Sequence, residues 1–172
     1  MTRKNTLLSA IQKISDTSVH DELTLLIEKA YPEMIKKAKP TQGNIIMFTD
    51  GASKGNPGKS GAGWIIYDHQ NLTLNRGRKY LGYKTNNQSE YLALFYGLED
   101  AMRYNPKSLS LFLDSELVVK QIQGKYKVKN ADLKPLHTKI INILSHVPFT
   151  IQHVPRDQNS EADALANEAI SS

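Results

Sequence analysis

Four acidic residues stand at points where the sequence pattern ends a strand or begins a helix: Asp50, Glu90, Asp114 and Asp163. Asp50 closes an apolar run and is followed at once by a glycine-rich segment, and Asp114 closes a second apolar run. A buried strand rarely ends in a carboxylate unless a cation needs it there. Four carboxylates from four separate elements are a ligand set that two hard divalent cations require. The spacing therefore predicts a site for two metal ions.

Two of the acids, Glu90 and Asp114, also have an ordinary structural explanation when each is taken alone. Glu90 falls in the first turns of a predicted helix, where the helix dipole or a capping box accounts for many acids. Asp114 could equally be an N-cap. Two strands that each deliver an acid to the same edge of a sheet favour the functional interpretation. Asp163 has apolar neighbours and is predicted to lean inward, whereas Glu161 is interpreted as surface charge.

The glycine-rich segment 51–58 invites comparison with a nucleotide phosphate-binding loop, because residues 58–60 read Gly-Lys-Ser. The first glycine of that motif would fall at position 53, which is Ser53. Residues 61–67 also predict a strand where the motif needs a helix. We therefore interpret segment 51–58 as a tight turn that brings backbone N–H groups close to a polymer backbone.

The hydrophobic pattern from residue 45 onward has the element order βββαβααβα, which predicts an α/β fold with a mixed sheet covered by helices. The first three strands are expected to form an antiparallel meander. The predicted strands are 45–49, 61–68, 72–80, 109–113 and 149–154, and the predicted helices are 86–103, 115–123, 133–145 and 160–171.

Residues 1–40 have a different pattern. Leu7, Leu8, Ile11 and Ile14 recur at helical spacing, and a second set follows between residues 23 and 30. Turn residues separate the two sets, so the pattern predicts a helical hairpin and a linker before the α/β domain.

Composition limits the chemistry that is available. The chain has no cysteine, so a metal must be held by oxygen or histidine ligands. The N-terminus lacks the apolar core of a signal peptide, and no apolar run is long enough for a membrane span, so we expect a cytoplasmic protein. A formal net charge of +5 favours a polyanionic partner once a site suggests one.

Four segments together resemble the type 1 ribonuclease H family: 49–58, 85–90, 113–115 and 159–166. They occur in the family's order, and the resemblance covers roughly residues 44 to 171. It implies a ribonuclease H-like mixed five-stranded sheet flanked by helices, with a catalytic domain at 44–172.

The resemblance also implies roles for individual residues. Asp50, Glu90, Asp114 and Asp163 match the family's metal-binding acids. Many members carry a histidine in a flexible loop before the last acid; here Arg156 is the preferred counterpart and His153, predicted to lie in a strand, is the alternative. Segment 124–132 is too short for the basic helix of some members, although it keeps three lysines. The residues implied to contact substrate are Gly51, Ala52, Ser53, Lys54, Asn56, Thr85, Asn86, Asn87 and Gln88.

The implied activity is hydrolysis of the RNA strand of RNA–DNA hybrids, leaving 5′-phosphate and 3′-hydroxyl ends. Two Mg²⁺ ions are expected as cofactors, with Mn²⁺ as a substitute and Asp50 bridging the two ions. We expect a monomer without a small-molecule cofactor or membrane partner. Lysines 54, 59 and 84 and arginines 76 and 78 are candidate phosphate contacts. Cleavage of double-stranded RNA, and a hybrid-binding module without turnover, are the alternatives.

Overall fold

Five strands and four α-helices follow one another in the computed structural model, which describes residues 43–171. The hairpin predicted for residues 1–40 lies outside the described residues. The strands are β1 (Asn44–Gly55), β2 (Gly58–Tyr67), β3 (Thr73–Lys84), β4 (Ser108–Leu113) and β5 (Phe149–His153). The helices are α1 (Asn86–Met102), α2 (Glu116–Ile122), α3 (Lys134–Leu144) and α4 (Ser160–Ser171), and one turn of 3₁₀ helix, Arg156–Asn159, precedes α4.

The strands form one mixed sheet in the order β3-β2-β1-β4-β5. β1, β2 and β3 pair antiparallel, which confirms the predicted meander. β4 then lies parallel to β1, and β5 lies parallel to β4. The predicted α/β fold with a five-stranded sheet is confirmed.

The predicted end of the first strand at Thr49 is wrong. β1 continues to Gly55 and pairs with β2 along the whole hairpin, from Ile46 opposite Tyr67 to Gly55 opposite Gly58. Segment 51–58 is therefore mostly strand, and the connection between β1 and β2 is only two residues long. Pairing continues to this short turn because the backbone N–H and C=O groups of residues 50–55 and 58–63 would otherwise lack hydrogen-bond partners in the ladder.

Helices cover both faces of the sheet. α1 packs against β1 and β2, and the buried side chains of α1 meet Met47 and Trp64 in the core. α3 packs on α1. α4 packs against β2, β1 and β3 through the residues that share a face with Asp50. Asp50 thus lies on the face of the sheet that α4 covers, and β1 continues past it to Gly55. Within residues 43–171, no helix is long and apolar enough to cross a membrane.

Candidate active site

Asp50 and Asp114 lie at the same edge of the β1–β4 ladder. The parallel pairing of these strands ends at Thr49 opposite Leu113, so the next residue on each strand is one of the two acids. Asp50 is buried, with 5% of its surface exposed. Asp114 does not cap α2, because Ser115 is the N-cap and its hydroxyl accepts a hydrogen bond from the Val118 N–H. The Asp114 carboxylate is therefore available for another role.

Glu90 reaches the same place from the first turns of α1. Its helix is capped by Thr85 and Gln88, whose side chains form a complete capping box, so Glu90 is not needed as a cap. A Cβ on Gly51 would lie 2.2 Å from the Glu90 backbone nitrogen. Only glycine at position 51 lets α1 approach β1 this closely. The Gly51 N–H in turn donates to the Glu90 carboxylate.

Three of the four predicted acids converge. One carboxylate oxygen from each of Asp50, Glu90 and Asp114 lies within 4.8 Å of the others. Asp163, on α4, is outside this group, and its Oδ1 accepts a hydrogen bond of 2.6 Å from Arg156. Asp163 is still close enough for its charge to act on Asp50. The structure therefore brings three acids into one cluster and places the fourth beside it.

The cluster is electrostatically unfavourable for carboxylates on their own. Burial raises the pKa of Asp50 to about 7, and the charges of Asp114 and Asp163 add to the effect. Burial likewise raises the pKa of Glu90 well above its ordinary value, and repulsion from Asp50 and Asp114 raises it further. Arg156 opposes both shifts, because its guanidinium lowers the pKa of Asp50 and of Glu90.

The donor set fits a hard divalent cation. All three converging groups are carboxylates, which are ligands that Mg²⁺ and Mn²⁺ accept. The Glu90 Oε2 atom is buried and has no hydrogen-bond partner among residues 43–171. A buried carboxylate oxygen without a partner is costly unless a cation satisfies it. The cluster could therefore hold a metal ion.

Arg156 and His153 occupy different surroundings. Arg156 is mostly exposed, with 76% of its side chain accessible, and it lies in the 3₁₀ turn and not in an irregular loop. Its ion pair with Asp163 places it against the acid cluster. His153 lies in β5, as predicted, although it ends the strand one residue before the predicted end at residue 154. Its charge acts on Glu116 of α2.

Asn159 is a site residue to which the sequence pattern assigned no role. It is 1% exposed, and its Nδ2 donates to the Thr49 carbonyl at 3.0 Å and to Asp114 Oδ1 at 3.2 Å. One signal in the sequence was available, since Asn159 precedes Asp163 by four residues and so lies one helical turn away.

The residues expected to contact substrate lie beside the acids, and several also hold the local structure. Residues 51–54 belong to β1, where β2 is the sole strand partner that the described part of the chain provides. The Asn56 side chain accepts a hydrogen bond of 3.1 Å from the Asn86 N–H. Thr85 and Gln88 form the capping box, while Asn86 and Asn87 are exposed at the start of α1.

Two of the candidate phosphate contacts are engaged within the protein. Arg76 pairs with Glu161, and Arg78 pairs with Glu168, each at 3.0 Å. Both pairs join β3 to α4 at the surface. Glu161 is thus a surface charge, as predicted, and 55% of its side chain is exposed, whereas Asp163 is 26% exposed.

The comparisons with known proteins agree with this geometry. The family described as "Reverse transcriptase-like" matches residues 48–169. The ribonuclease HI of Halobacterium salinarum is 38% identical over 129 residues, which cover 74% of this chain and 65% of that protein. The chain thus spans slightly less than two thirds of that relative. The ribonuclease H of Marinobacter nauticus is 31% identical over 144 residues, which cover 74% of this chain and 95% of that protein.

Solved structures give the same assignment. The crystal structure of LC11-RNase H1 in complex with RNA/DNA hybrid is 41% identical in sequence and superimposes with a TM-score of 0.71. The alignment covers 74% of this chain and 96% of that one. RNase H1 from Halobacterium salinarum superimposes with a TM-score of 0.73. The family match over residues 48–169 contains all four acids, and the chain belongs to the type 1 ribonuclease H family.

Proposed function

We propose that this protein is an endoribonuclease that hydrolyses the RNA strand of RNA–DNA hybrids and leaves 5′-phosphate and 3′-hydroxyl ends. The observation that carries the proposal is the convergence of Asp50, Glu90 and Asp114 within 4.8 Å. Such a cluster of close acids, in which Asp50 is buried and the other two are partly buried, disfavours an anionic ligand by itself and favours a cation that can then hold a phosphate. Relatives named as ribonucleases H, one of them in a complex with RNA/DNA hybrid, supply the substrate class.

The cofactor is proposed to be two divalent cations. Glu90 and Asp114 would hold one ion, Asp163 would hold the other, and Asp50 would serve both. Bound ions of this kind lower the pKa of a ligated water and stabilise charge on the scissile phosphate. Mg²⁺ is the proposed ion, because the donors are all carboxylates, and Mn²⁺ is the proposed substitute.

The chain's own residues prepare the site for this chemistry. The Gly51 N–H holds one side of the Glu90 carboxylate, so its free oxygen has a fixed direction. Arg156 supplies a positive charge next to Asp163, because its guanidinium pairs with that acid while most of its side chain is exposed. We assign Arg156 to turnover, where it would weaken the hold of Asp163 on the product phosphate.

Selection of RNA over DNA requires contacts to the 2′-hydroxyl. The backbone of residues 51–54 and the exposed amides of Asn86 and Asn87 are proposed to make them, with Asn56, Thr85 and Gln88 holding the start of α1 in place. Lys54, which is exposed, is proposed to contact phosphate and to contribute to the salt dependence of binding.

The test is cleavage of a labelled RNA–DNA hybrid by the full chain, beside matched RNA–RNA and DNA–DNA duplexes, with Mg²⁺ and with a chelator. Metal-dependent cleavage of the hybrid's RNA strand alone is the expected result. Cleavage of duplex RNA as well would widen the substrate class. Tight hybrid binding without cleavage under either Mg²⁺ or Mn²⁺ would contradict the proposal and leave a binding module.

Three further properties belong to the proposal. The enzyme is proposed to act as a monomer, in the cytoplasm, and without a small-molecule cofactor. The segment 1–40 is proposed to form a unit separate from the catalytic domain at 44–172, so its deletion is expected to leave the chemistry of cleavage intact.

A further inference from the structure

Asn159 is a buried amide held between two hydrogen-bond acceptors. Its Nδ2 lies 3.0 Å from the Thr49 carbonyl oxygen and 3.2 Å from Asp114 Oδ1. Because neither a carbonyl nor a carboxylate can donate, the NH₂ end of the amide must face them. The orientation of this side chain is therefore fixed by its partners.

The other end of the same amide is unsatisfied. Asn159 Oδ1 is buried and finds no hydrogen-bond partner within residues 43–171. A buried carbonyl oxygen without a partner costs on the order of 1–3 kcal/mol. An apolar side chain at this position would avoid that cost, so the NH₂ group has to contribute something that offsets it.

We propose that Asn159 is a positioning residue that fixes the Asp114 carboxylate and seats the start of α4 against β1. Its two hydrogen bonds join three parts of the site: the end of the β1–β4 ladder at Thr49, the acid after β4, and the turn that leads into α4. Asp163 follows one helical turn later. The side chain of Asn159 thus helps to fix the position of Asp114, after β4, relative to Asp163 on α4.

The proposal rests on the proposed metal-binding function of the acid cluster. Asp114 is repelled by the like charges of Asp50 and Glu90, and the amide of Asn159 gives one of its carboxylate oxygens a neutral hydrogen-bond donor that opposes this repulsion. Residues that orient a metal ligand typically change metal affinity or activity by roughly 10- to 100-fold when they are removed.

The experiment compares Asn159→Ala with wild type as full chains. Mn²⁺ binding to the free protein is followed by electron paramagnetic resonance, without substrate, and steady-state cleavage of the hybrid is measured separately. We expect the Mn²⁺ dissociation constant to rise about tenfold and kcat to fall, while KM for the hybrid stays within about twofold. Glu168→Gln is the matched control, because it weakens an exposed ion pair near the C-terminal end of α4, the helix that follows Asn159. We expect it to change neither the Mn²⁺ dissociation constant nor kcat.

A folded Asn159→Ala protein whose Mn²⁺ affinity equals that of wild type would overturn the proposal. If this variant does not fold, Asn159→Ser is judged by the same criterion, since its hydroxyl preserves a polar group but is too short to reach Asp114. Failure of the proposed function is distinguishable: a wild-type protein that binds Mn²⁺ but does not cut the hybrid would refute the activity and leave the Mn²⁺ comparison intact.

Discussion

The acid cluster should make the metal-free protein less stable as the pH rises. Burial raises the pKa of Asp50 from 3.8 to about 7 in the folded state. Between these values the folded protein binds more protons than the unfolded chain, so the free energy of unfolding falls as pH increases. A difference of about 3 pKa units corresponds to about 4 kcal/mol, most of it lost between pH 4 and pH 7. The raised pKa of Glu90 acts in the same direction.

Urea unfolding of the full chain, followed by circular dichroism in the presence of a chelator, measures this effect. Asn at position 50 removes the titrating group, so the Asp50→Asn variant is the internal reference. We expect wild type and variant to have similar stability near pH 4, and the variant to be more stable by about 4 kcal/mol near pH 8. The comparison removes the titration of Asp50 together with its repulsion of Glu90, and it cancels the groups that do not interact with Asp50.

Added Mg²⁺ should offset much of this loss in the wild-type protein. A ligand that binds only the folded state stabilises it by RT ln(1 + [L]/Kd), about 2.7 kcal/mol when the ion is present at a hundred times its dissociation constant. Mg²⁺ should stabilise the Asp50→Asn variant less, because this variant lacks the carboxylate that is proposed to serve both ions. A stability difference between the two proteins that stayed constant from pH 4 to pH 8 would refute the burial argument.

Three other perturbations test separate parts of the site. Asp50→Asn should reduce cleavage roughly a thousandfold or more while hybrid binding survives, and near-normal turnover would contradict the metal-site assignment. Arg156→Ala should lower kcat about tenfold with little change in hybrid affinity, and His153→Ala serves as its control; the opposite pattern would assign turnover to the histidine. Gly51→Ala should destabilise the fold by about 3 kcal/mol, because the new Cβ would lie 2.2 Å from the Glu90 backbone nitrogen and α1 would have to move. Urea unfolding measures this loss, and unchanged stability would show that α1 can shift without cost.

The sequence predicted the sheet because β1, β2 and β4 contain apolar runs with clear ends, whereas β3 is mostly polar and has only a weaker alternating pattern. It placed Asp50 beside Asp114 for a sound reason, since both acids follow positions that pair in the parallel ladder. It ended β1 too early because residues 51–55 are small or polar and have no hydrophobic pattern. Their strand conformation comes from pairing with β2, which is a property of the fold and not of those residues.

The role of Asn159 could not be read from the pattern for a similar reason. An asparagine before a helix is usually a cap or a turn residue, and nothing local shows that this one is buried against Thr49 and Asp114. Its partners are 110 and 45 residues away along the chain. Only the assembled fold reveals such a contact.

The position of Asp163 depends on a close backbone contact between α4 and β2, which the pattern of hydrophobic side chains does not predict. Gly63 is the residue opposite Asp50 in the β1–β2 ladder, and a Cβ there would lie 2.3 Å from the Ala162 carbonyl oxygen on α4. The helix backbone therefore rests directly on the strand beside Asp50. Because Asp163 is the next residue after Ala162, this contact limits how far the fourth acid can move from the cluster. Asn159 fixes the start of the same helix, so the separation between Asp50 and Asp163 is set by an absent side chain on one strand and a buried amide on the facing turn.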